Sequence, residues 1–90
     1  MKYADFIIKL RQKDPDAVRM LVAAHGKEML SRAKKSLAGH DKRAARRAVT
    51  RAVRDAIARL DDASKLPCDE KALFETLDDA LDTRTKHMRA

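Results

Sequence analysis

Apolar side chains recur every three or four positions along most of the chain, the period of helices that bury one face. Tyr3, Phe6, Ile7 and Leu10 carry the pattern over residues 3–12, with Lys2, Lys9 and Arg11 on the outer side. Asp14-Pro15-Asp16 interrupts it. An Asp suits the capping position, Pro the first helical position, and a second Asp the positive end of the helix dipole. The period resumes over 15–38 through Ala17, Val18, Leu21, Val22, His25, Met29, Leu30, Ala33 and Leu37. Gly26 lies inside this run, where a glycine costs about 1 kcal/mol relative to alanine and marks a kink or a close crossing. Gly39 predicts the C-terminal cap. Asp41 caps a third helix over 41–62, with Ala45, Ala48, Val49, Ala52, Val53, Ala56, Ile57 and Leu60 as its apolar stripe. Pro67 ends the loop that follows. Leu73, Phe74, Leu77, Ala80 and Leu81 define a last helix from Asp69 to about residue 83. No run alternates as a strand would. The pattern predicts an all-α protein, a compact bundle of about four helices, with one domain over residues 1–84 and a flexible C-terminal tail over 85–90. Leu21, Val49, Val53, Ile57, Leu73 and Leu77 are its expected core.

Composition adds a thin core to this picture. Of 90 residues 44% are hydrophobic, but there are only one Tyr, two Phe and no Trp. Alanine, valine, leucine, isoleucine and methionine must fill the interior, and a small domain buries a modest share of its surface. Self-association or a stabilising partner is therefore expected, with a homodimer as one form. No apolar run is long enough to span a membrane, and the first residues do not form a secretory signal. The single cysteine suits a reducing compartment, so a cytoplasmic location is expected.

Charge is unevenly distributed. The net charge is +7, with 17 Lys/Arg against 8 Asp/Glu in residues 1–66 and 4 against 6 in residues 67–90. Residues 32–59 concentrate the positive charge, with ten Lys/Arg opposed only by Asp41 and Asp55. On the third predicted helix Arg43, Arg47 and Arg54, spaced by four and seven, share one face. Arg46 and Arg51 flank them and Thr50 is the uncharged position in the middle. Like charges four apart cost a few tenths of a kcal/mol each. Phosphates or a carboxylate surface would offset that repulsion. The candidate contact residues are Lys34, Lys35, Arg43, Arg46, Arg47, Arg51 and Arg54. A plain solvated arginine face is the competing reading. The acidic last helix could also pair with the row, within the molecule or across a dimer.

No catalytic constellation assembles. Cys68 stands alone after a proline, and its ordinary reading is a loop thiol. His25 and Glu28 lie one turn apart, but no matching carboxylate–histidine pair occurs on another helix. Asp61-Asp62 and Asp78-Asp79 diverge by about 100° per residue on a helix and cannot converge on one ion. With two glycines in the chain there is no phosphate-cradling loop. The expectation is no enzyme, no metal site and no cofactor.

The order of these elements resembles conserved region two of bacterial RNA polymerase sigma factors, most nearly the extracytoplasmic-function group. The resemblance rests on the short helix, Asp14-Pro15-Asp16-Ala17, the long helix ending in Ala33 and Leu37-Ala38-Gly39, and Ala45-Arg46-Arg47-Ala48-Val49-Thr50-Arg51-Ala52-Val53. Leu73-Phe74-Glu75-Thr76-Leu77 falls where that family carries its promoter-reading helix. Arg47 and Thr50 stand where the family has Asp and Gln, Val53 where it has Phe, and Glu75, Asp78, Asp79 and Asp82 replace a basic helix. The resemblance implies a sigma region-two-like fold. It also implies a small transcription-associated module that binds DNA or the RNA polymerase core through a basic helix face. The alternative is a helical protein–protein interaction module or dimeric adaptor without nucleic acid.

Overall fold

A computed structural model describes residues 2–89. Four helices run in the order α1 (Tyr3–Arg11), α2 (Pro15–Ser36), α3 (Lys42–Arg59) and α4 (Glu70–Arg89), with one short 3₁₀ turn at Ala63–Lys65. No strand occurs among the described residues. The all-α bundle of about four helices is the architecture that the periodicity predicts. No described helix is long and apolar enough to cross a membrane.

Aspartates set the helix starts. The carboxylate of Asp14 accepts from the Asp16 N–H at 2.9 Å, that of Asp41 from Arg43 at 3.1 Å, and that of Asp69 from Ala72 at 2.8 Å. Each satisfies one of the donors that a helix N-terminus leaves open. The α1–α2 turn is tighter than its residues suggest. Lys13 N–H donates to Leu10 O at 2.9 Å and Asp14 N–H to Lys9 O at 3.0 Å, the paired bonds of a Schellman cap. Lys13 takes φ +60° to make them, in the left-handed region that favours glycine. Helix α2 stops at Ser36, two residues short of the expected end, and Gly39 takes φ +92° in the turn beyond.

Helix α3 packs against both α2 and α4, α2 also meets α4, and α1 touches α2 and α3. Five of the buried residues of α3 are alanines: 44, 45, 48, 52 and 56. Their small side chains let neighbouring backbones approach closely. The bulk of the core comes from Leu10, Leu21, Met29, Leu60, Leu73, Leu77 and Leu81, all fully buried. Leu21, Val53, Ile57, Leu73 and Leu77 are buried as expected. Val49 is not: it is only partly buried, because it stands at the edge of a groove between α2 and α3.

Residues 85–89, expected as tail, are helical. Thr85 continues the ladder Leu73, Leu77, Leu81 at i+4 and is buried to 2% exposure. Its hydroxyl donates to the Asp82 carbonyl at 3.2 Å, which satisfies the one polar atom that burial would otherwise strand. Arg84 Nε and Nη2 reach both carboxylate oxygens of Asp55 on α3, at 2.9 and 3.3 Å. Residue 90 lies outside the described residues.

Candidate functional site

The outer face of α3 carries the arginines that the spacing predicts. Arg43, Arg46, Arg47, Arg51 and Arg54 are all exposed. The buried alanine stripe fixes their direction, since residues that alternate with it in a 3.6-residue period must point outward. Among the described residues none of the five makes an ion pair. Thr50 sits within the row, and its hydroxyl donates back to the Arg46 carbonyl at 3.0 Å. Lys34 and Lys35 are exposed in the last turn of α2, where cations complement the negative end of the helix dipole.

The row has two sides. Arg46 and Arg54 border the groove between α2 and α3. Arg47 and Arg51 instead line a cavity of about 220 Å³ with Arg84, His87 and Met88 of α4. The helical extension of α4 therefore places Arg84 and His87 beside the row. The sequence pattern does not reveal either, because the polar Thr85 interrupts the apolar stripe that marks the helix.

The acids of α4 do not meet this row. Asp82 holds Arg32 of α2 through two hydrogen bonds, at 3.0 and 2.9 Å. Asp79 reaches Arg59 at the end of α3 at 3.7 Å. These bonds stabilise the charged guanidinium, so hydrogen bonding to Asp82 raises the Arg32 pKa, and bonding to Asp55 does the same for Arg84. The intramolecular pairing of α4 thus falls on the arginines that bracket the segment 32–59, not on Arg43, Arg47 or Arg54.

His25 is the other polar feature of the α2–α4 seam. It is buried to 5% exposure, and its ring lies flat on Phe74 with centroids 4.4 Å apart. Nε2 lies 2.8 Å from Asp78 Oδ1, and Nδ1 3.3 Å from Glu28 Oε2. The carboxylate absent from the local spacing comes from α4, but the two acids face opposite ring nitrogens and cannot share an ion. Among the described residues no group of three His, Cys, Asp or Glu side chains is placed to hold a metal. Cys68 is exposed and free. Near it the Tyr3 hydroxyl donates to the Pro67 carbonyl at 2.8 Å. Burial, with Asp69, Cys68 and Glu70 nearby, pushes that phenol up from its ordinary pKa.

Compared with family models, curated protein sequences and solved structures, the chain matches none.

Proposed function

We propose that this chain is a non-catalytic binding module that contacts duplex DNA through the arginine row of α3. The observation that carries the reading is the absence, among the described residues, of any carboxylate partner along that row. Arg32, Arg59 and Arg84 each have an aspartate from a neighbouring helix. Arg43, Arg46, Arg47, Arg51 and Arg54 have none among the described residues and repel one another. A row of phosphates supplies the missing counter-charge, and arginine meets phosphate with its planar fork. The short aromatic inventory argues against single-strand stacking and favours contacts along a duplex backbone. On the sequence resemblance to sigma region two, the expected setting of such a module is transcription.

Phosphate contacts orient a protein without reading bases, so binding is expected to be largely indifferent to sequence. Counterion release makes log K fall with log salt by about 0.9 per contact. Titrating random-sequence duplex DNA at several salt concentrations tests the reading. Replacing Arg43, Arg47 and Arg51 by Gln is expected to flatten that dependence by about 2.7 in slope. A wild-type protein that binds no duplex at low salt would refute it.

A further inference from the structure

The groove between α2 and α3 is not needed for phosphate contacts, and its floor is the wrong chemistry for them. Helix α2 carries two parallel ladders. Ala17, Leu21, His25, Met29 and Ala33 are buried in the bundle. The neighbouring ladder of Val18, Val22, Gly26 and Leu30 faces the groove, and Val22 is left 43% exposed. Partly buried Val49 forms the opposite wall, backed by Val53 and Ile57, which are only 5% and 7% exposed. Two adjoining cavities of about 610 and 420 Å³ share Val22, Val49 and Thr50. The charged residues at their rim are Lys13, Lys27, Arg46 and Arg54, with no acid among the lining residues. None of the four makes an ion pair among the described residues.

Gly26 belongs to this surface. A mid-helix glycine suggests a close crossing, yet a Cβ built there would meet only Val22 of the same helix, at 3.0 Å from its Cγ1. No neighbouring helix of the bundle presses on it. The missing side chain leaves the floor of the groove open.

We propose that this groove docks one amphipathic helix of a partner protein, with its apolar stripe on the valines and acidic residues on both flanks. Charge complementarity fixes the flanks, because the rims on α2 and on α3 are both basic. Length fits as well: Val18 to Leu30 spans about 18 Å, the rise of a helix of about 12 residues. Such helix-in-groove docking is read through anchors at three- and four-residue spacing. A second copy of this chain does not supply that helix, since Leu73, Leu77 and Leu81 of the acidic α4 are already buried.

The test uses a labelled synthetic helix of about 14 residues, with Leu at three- and four-residue spacing and Glu on both sides. A scrambled peptide of the same composition is its control. Anisotropy titration with the full chain is expected to favour the striped peptide by about tenfold or more. Val22→Glu puts a carboxylate on the floor, and Gly26→Leu fills it with an apolar helix former. Both are expected to remove the preference while keeping the helical circular dichroism spectrum, and the uncharged Gly26→Leu is also expected to keep the affinity for duplex DNA. The Arg43, Arg47 and Arg51 variant is expected to keep the preference. Equal binding of the two peptides would overturn the proposal. So would folded Val22→Glu and Gly26→Leu proteins that retain the preference, or a loss of DNA affinity in Gly26→Leu that matches its loss of peptide affinity.

Discussion

The seam along α4 and the outer face of α3 hold the same residue type in opposite circumstances. In the seam, Arg32, Arg59 and Arg84 each meet an aspartate across a helix boundary, and the buried imidazole of His25 meets Asp78. On the outer face, five arginines stand on one helix with no acid opposite them among the described residues. Asp55, Asp78, Asp79 and Asp82 pair within the seam, and Asp14, Asp41 and Asp69 cap helices. Arginines in the seam therefore link neighbouring helices through partly exposed ion pairs, while those on the outer face add repulsion to the isolated protein. The groove sharpens the contrast, because it leaves apolar and cationic groups side by side on the same open flank.

The seam is where stability is expected to break first. Leu77, fully buried on α4, should lose about 2–4 kcal/mol on replacement by Ala, read by urea unfolding. A loss under about 0.5 kcal/mol would mean that the α4 interface is not the centre of the bundle. Asp78→Ala strands the buried Nε2 of His25 and should cost about 1–3 kcal/mol in the same assay.

The open flank should behave differently. Lys13 holds a left-handed backbone at the rim of the groove, so Lys13→Gly is expected to stabilise the protein by about 0.5–1 kcal/mol. Destabilisation there would show that the lysine side chain makes a contact that outweighs its backbone cost. The smallest effect is predicted for the row itself. Replacing Arg43, Arg47 and Arg51 by Gln should move stability by no more than about 0.5 kcal/mol, with relief of repulsion as the expected direction.

Much of the fold is legible in the sequence because one period runs through it. Asp14, Asp41 and Asp69 mark helix starts by a local mechanism that needs no tertiary information. The alanine stripe of α3 likewise fixes which way its arginines point. What was not legible depends on contacts between helices. Thr85 looks like the end of an apolar stripe, and only the hydroxyl bond to Asp82 makes its burial tolerable. His25 and Asp78 are 53 positions apart, so no local spacing connects them. Val18, Val22 and Leu30 share the helical period of α2 with Leu21 and Met29, so spacing alone does not separate the buried ladder from the one at the groove. Helix α2 carries more apolar surface than one face can bury, and the excess forms the groove. The row of candidate contact residues could be found from spacing alone. The carboxylates claimed by Arg32 and Arg59, and the placing of Lys13, Lys27, Arg84 and His87 near the open flank, required the packed structure.

Two charge-matched variants test the central claim most directly. One replaces Arg43, Arg47 and Arg51 by Gln, and the other replaces Arg32, Arg59 and Arg84 by Gln, so both lose the same formal charge. Melting temperature and the salt dependence of duplex DNA binding are measured for each beside the wild type. The account predicts that the first keeps its melting temperature and flattens the salt dependence by about 2.7 in slope. The second should melt lower and keep a salt dependence close to that of the wild type. Equal flattening in the two variants would contradict the account, since DNA would then be responding to net charge and not to the arginine row of α3.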